Sequence, residues 1–139
     1  MVIGRGFAGV VLAVVAIAGC SLLSGPVVRI DEAVSPRLTP AQVADIAIGR
    51  IHEMEQVAGR AAKPARVLNI TATTPAGVPR LEPRAGQGGA AVPGVLWLVR
   101  AEGTFTNSRT PPGAEPMVAT SGYLVISDAD GGILGLGFP

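Results

Sequence analysis

Cys20 and His52 offer the most chemistry, being the only thiol and the only imidazole in 139 residues. A Ser–His or Cys–His nucleophile would have to use His52. That residue sits between Ile51 and Glu53 beside an apolar stripe, which reads as a helix boundary position and not as a general base. A histidine-based zinc site would need further His or Cys ligands, and the chain has none to give. Glu53 and Glu55 are two apart on a helix, so they diverge and do not pair for acid–base work. Asp128 and Asp130 have the spacing with which a calcium loop begins. Such a loop needs a bidentate Glu at its twelfth position, which here is Pro139. Gly86-Gln87-Gly88-Gly89 is followed by no Lys-Ser or Lys-Thr and is not a phosphate loop. A site built only from acids and hydroxyls would draw on Glu102, Ser121, Tyr123 and Asp128. These patterns lead to no expected catalytic residue, cofactor or metal.

Stepping out from single residues, charge excludes one function class. There are 11 basic and 10 acidic side chains, and the basic ones are scattered from Arg5 to Arg109. Nucleic-acid binding by counterion release needs clustered cations, so no nucleic-acid partner is expected. A single cysteine forms no internal disulfide.

The start of the chain has the parts of an export signal. Arg5 precedes Phe7 to Ala18, twelve residues without a polar side chain, and small residues follow. Ile17-Ala18-Gly19-Cys20 resembles the lipobox of bacterial lipoproteins. The resemblance implies cleavage between Gly19 and Cys20, diacylglycerol on the Cys20 thiol, and a new amino group open to further acylation. Two or three acyl chains, at about 0.8 kcal/mol per buried methylene, suffice for stable anchoring. Residues 1–19 are then a signal peptide, 20–38 a lipidated N-terminus and flexible tether, and 39–139 the folded domain. The competing reading is an uncleaved span, for which Phe7 to Leu23 is barely long enough. Both leave the domain outside the cytoplasm.

The elements of that domain follow from spacing. Thr39-Pro40-Ala41-Gln42 is a capping-box start with Pro at the first helical position. Val43, Ala47, Ile51, Met54 and Ala58 then form one apolar face, and Gly59 suits the residue past the helix end. Gly49 costs about 1 kcal/mol relative to Ala in a helix interior, pointing to a sheet that approaches closely there. Strands are expected at Arg66 to Thr73, Val95 to Phe105, Met117 to Ser127 and Ile133 to Phe138, the last two joined by the Asp128 to Gly132 turn. In the first of these, Leu68, Ile70 and Ala72 share a face. Residues 74–94 and 106–116 are long Pro- and Gly-rich loops. Val27, Val28 and Ile30 offer a short strand as the alternative to tether. The expected fold is α+β, with one N-terminal amphipathic helix packed on an antiparallel meander of about four strands.

Thr39-Pro40-Ala41-Gln42-Val43-Ala44, Trp97-Leu98-Val99 and Asp128 to Leu134 resemble stretches of PepSY-like domains, over about Thr39 to Phe138. The long insertion at 74–94 departs from that pattern. The resemblance implies a secreted or membrane-associated module that binds or restrains another protein, such as a peptidase, and it transfers no catalytic residue. The function expected is therefore a non-catalytic binding or accessory module, anchored to the envelope membrane through lipid on Cys20, with a protein partner. The competing reading is a small envelope enzyme using the carboxylates and hydroxyls named above.

Overall fold

The structure, a computed structural model, describes residues 25–85, 93–106, 112–115 and 117–138. Five strands form one sheet: β1 Val27–Ile30, β2 Arg66–Thr73, β3 Leu96–Thr106, β4 Val118–Ser127 and β5 Ile133–Gly137. Their order in the sheet is their order in the chain. β1 runs parallel to β2, and the other three pairings are antiparallel. Helix α1, Pro40–Ala58, links β1 to β2 across one face. A short helix α2, Gly77–Leu81, and a single 3₁₀ turn, Pro83–Ala85, lie between β2 and β3.

This corrects the expected architecture. The helix is not the first element, and the sheet is mixed and five-stranded, not a four-strand antiparallel meander. The missing strand is Val-Val-Arg-Ile, inside the segment read as tether. Four residues carry little periodicity, and what makes them a strand is pairing with β2 some forty positions away: Val27 opposite Asn69, Ile30 opposite Ala72. A local reading does not contain that pairing. Likewise α2 and the 3₁₀ turn stand where a structureless loop was expected.

α1 forms for reasons local to its sequence. Thr39 Oγ1 accepts from the Gln42 amide at 3.2 Å while Gln42 Oε1 accepts from the Thr39 amide at 2.9 Å. Together they satisfy two of the donors that a helix start leaves open. Gly59 closes the other end at φ +77°, a conformation that costs a residue with a Cβ. Val43, Ala47, Ile51 and Met54 are buried against Ile70, Ala72, Trp97, Val99, Phe105, Leu124 and Ile126 of the sheet.

Two bulges set which residues reach that core. Between Val67 and Asn69 the pairing slips, so Leu68 is the extra residue and Val67, not Leu68, joins Ile70 and Ala72 beneath α1. This reverses the expected phase at the start of β2, because one inserted residue exchanges the faces on either side. A second slip between Glu102 and Phe105 turns Phe105 into the same core.

Gly49 plays no part in close packing. It is exposed, and a Cβ built on it would meet nothing within 4 Å. The expectation of a close sheet approach is therefore corrected; the position carries only the helix cost of glycine. Gly49→Ala is expected to raise stability by about 1 kcal/mol, measured as a shift in urea midpoint at unchanged slope.

The Phe7–Leu23 stretch, Gly19 and Cys20 lie outside the described residues. Among the described residues no helix is long and apolar enough to cross a membrane.

Candidate functional site

The sheet face opposite α1 is where this chain assembles polar groups over an apolar floor. Leu96, Leu98, Tyr123 and Val125 project to it and pack with Val78 of α2. Val78 is fully buried, which stabilises the seating of α2 by roughly 1.5–3 kcal/mol. The entry to α2 is held by Thr74, whose carbonyl and hydroxyl both accept from the Gly77 amide, at 2.9 and 3.1 Å. Gly77 is needed here because a Cβ would fall 2.0 Å from Thr73 Oγ1.

After α2 the chain delivers Glu82 into the sheet with 3% of its surface exposed. A buried carboxylate needs partners, and it has two. Arg84 Nε donates to Glu82 Oε1 at 2.7 Å and Arg84 Nη2 to Oε2 at 3.2 Å. From β3, Arg100 Nη2 donates to Glu82 Oε2 at 3.2 Å and also to the Leu81 carbonyl. The Arg84 guanidinium lies over the Tyr123 ring, 5.6 Å from its centroid, a cation–π placement. Arg84 and then Arg100 hold the Glu82 carboxyl below its ordinary range against the opposing effect of burial. Burial, with Glu82 beside it, pushes the Tyr123 hydroxyl up although Arg84 pulls the other way. At neutral pH Glu82 is thus ionised and Tyr123 protonated. The cluster fixes the cover and presents the outer faces of two guanidinium groups.

Clefts open on both sides of this cover. Toward β5 a cleft of about 140 Å³ is lined by Val78, Ala85, Tyr123, Val125, Leu134, Gly135 and Leu136. Toward β1 a cleft of about 270 Å³ is lined by Arg29, Ile30, Asp31, Thr71, Thr73, Gly77, Arg80 and Leu81. The first suits an apolar side chain; the second combines apolar and charged walls.

The carboxylates and hydroxyls singled out in the sequence do not converge on one point. Glu102 and Ser121 are register partners across β3 and β4. Glu102 is taken by Lys63, whose hydrogen bond holds its carboxyl below the ordinary value. Ser121 is exposed, and Tyr123 sits under Arg84. Asp128 is five residues beyond Tyr123 along the strand, about 16 Å away at the usual rise. It is a structural hub: Asp128 Oδ2 accepts from the Arg37 amide at 2.7 Å, and Oδ1 from the Leu38 amide at 2.9 Å and from Trp97 Nε1 at 2.8 Å. Asp130, by contrast, serves its own turn, accepting from the Gly132 amide at 2.9 Å beside Gly131 at φ +73°. His52 is exposed on α1, with Nδ1 3.1 Å from Glu55 Oε2, and Glu53 pairs with Arg50 at 2.8 Å. Among the described residues no group of three His, Cys, Asp or Glu side chains has metal-binding geometry.

No protein-family model, curated protein or solved structure matches this chain.

Glu82, Arg84 and Arg100 were not among the candidate residues of the sequence. The one available signal was Val78 within a Pro-rich stretch, an apolar residue that the structure buries while Leu81 of the same turn stays exposed.

Proposed function

We propose that this chain is an exported lipoprotein, processed before Cys20, that presents a non-catalytic binding domain outside the cytoplasm. The observation that carries the anchor is Ile17-Ala18-Gly19-Cys20 standing behind Arg5 and twelve residues without a polar side chain. The binding role is supported by the second sheet face, where a cover held by the Glu82–Arg84–Arg100 cluster, one carboxylate between two guanidinium groups, leaves two clefts open. The partner is a protein of the same envelope; the PepSY-like stretches suggest one that the domain restrains, such as a peptidase.

Deleting the segment between β2 and β3 would not test binding, because it would strip Val78 from Leu96, Leu98 and Tyr123. Point changes serve instead. Intact mass of the membrane-extracted protein is expected to show loss of residues 1–19 and added lipid mass, both abolished by Cys20→Ser. Cross-linking in intact cells is expected to trap one discrete partner, and Leu134→Glu at the rim of the β5 cleft to reduce that capture severalfold without moving the urea midpoint. An unprocessed chain in both forms removes the lipoprotein reading. Undiminished capture removes the β5 cleft as the binding surface.

A further inference from the structure

Among the described residues β1 is one of the two edge strands, and all four of its residues are exposed. Val27, Val28 and Ile30 are 52%, 42% and 49% exposed. By register, Val28 and Ile30 lie on the α1 side with Ile70 and Ala72, while Val27 and Arg29 lie on the α2 side with Asn69 and Thr71. The strand therefore presents Val28 and Ile30 on one face and Val27 with Arg29 on the other, so apolar side chains stand on both sides of it. Its outer edge has no strand neighbour among the described residues. An open apolar edge of this kind is a pairing hazard that folded proteins normally cover. Leu81, 42% exposed, extends the patch across the β1-side cleft, with Arg29 and Arg80 beside it.

The length of chain ahead of β1 points to the cover. Six residues, Ser21 to Pro26, separate Cys20 from Val27. Fully extended, the seven Cα steps reach about 25 Å, of which the headgroup layer takes about 5–8 Å, so β1 stands no more than roughly 20 Å above the membrane surface. We infer that β1, with Leu81 beside it, rests in the headgroup region of the bilayer that holds the lipid on Cys20. This rests on the lipoprotein reading above. The occupant is a phospholipid surface: Val27, Val28 and Ile30 enter the interface, and Arg29 and Arg80 meet phosphate. Asp31, in the same cleft, keeps its charge; its carboxylate is oriented by the Ala33 amide and Thr73 Oγ1, and Arg29 and Arg80 together outweigh it. Glu32 comes after the strand, at the end remote from Cys20. What read as a flexible tether is then a short leash with a docked end, holding the domain close to the membrane with its β5 edge turned away.

The test uses the lipidated full chain in vesicles of phosphatidylethanolamine and phosphatidylglycerol. Spin labels are placed singly at Val27→Cys, Val28→Cys and, at the far edge, Leu134→Cys. Flotation with the vesicles reports the anchor, and collision with oxygen against a water-soluble nickel complex reports depth. Both β1 labels are expected to favour oxygen over nickel severalfold more than the Leu134 label on the same vesicles. β1 labels as open to nickel as the Leu134 label, in protein that floats, overturn the docking and leave the anchor standing. Protein that does not float overturns both, since nothing then sets β1 beside a bilayer. Spin–spin broadening between Val28 labels that unlabelled protein relieves identifies a second copy on the strand, and overturns the docking also.

Discussion

Asp128→Ala is expected to lower the unfolding free energy by about 3–5 kcal/mol. Three donors converge on this carboxylate at 2.7 to 2.9 Å: the amides of Arg37 and Leu38 and the indole of Trp97. Trp97 is fully buried and Asp128 is 4% exposed, so truncation leaves the indole N–H with no acceptor, while the part-buried Arg37 and Leu38 amides lose theirs. The loss also frees the segment that leads into α1 at Thr39. Urea unfolding followed by Trp97 fluorescence measures it. Acid sensitivity provides a second readout. Burial pushes the Asp128 carboxyl up, but the Leu38 amide, the Trp97 indole, the Arg37 amide and the Arg37 charge together bring it below its ordinary value of 3.8. A carboxyl lowered on folding stabilises fully above its unfolded pKa, and that contribution is lost as pH falls through the folded pKa. Stability should thus be level near neutrality and decline below about pH 4. Asp128→Asn, which cannot ionise, should flatten part of that decline. Glu82 and Glu102, also lowered, supply the remainder with the same sign. An unchanged acid limb in Asp128→Asn would refute the assignment.

Gly103→Ala is expected to cost about 2–4 kcal/mol, from backbone strain and overpacking together. Gly103 lies in the β3 bulge at φ +151°, and a Cβ there would stand 2.6 Å from Ile51 Cγ2 and 3.4 Å from the Ala65 backbone. Ile51 is fully buried in the middle of α1, so it has no free volume into which to retreat. A double-mutant cycle with Ile51→Ala separates the two causes. If collision dominates, the two losses fall short of additivity, because the second change removes the atom that the first one strikes. If strain dominates, they add.

What could be read in advance divides along the range of the interactions. α1 was visible because its determinants lie within four residues of one another: Thr39 with Gln42, and Val43, Ala47, Ile51 and Met54 on one stripe. β1 was legible only as an alternative to tether at Val27, Val28 and Ile30, because a strand of four residues is defined by its partner. The bulge at Leu68 left no trace in a clean alternation from Leu68 to Ala72. Asp128 is the most instructive case. An Asp-x-Asp-Gly turn accounts fully for Asp130 and Gly131, and that local explanation hid the distant one. The clue was a requirement elsewhere: a Trp97 facing the core must find an acceptor for its indole N–H. Glu82 was obscured although Arg84 is two residues on, because its burial depends on the packing of α2 against the sheet and its second partner, Arg100, is eighteen residues further along the chain. Gly49 shows the reverse error, a role assigned to a residue that only carries a cost.

The order of strands in the sheet also bears on the order of events in time. From β2 to β5 every strand lies beside its predecessor, so each pairing closes over an intervening loop and can form as the chain becomes available. β1 pairs across the longest connection in the sheet, because the whole of α1 lies between it and β2. That pairing is therefore expected to be the slowest of the four to close. Like β5, β1 has four register pairs and one neighbour, but all four of its residues are exposed, so it is expected to open early when the domain breathes.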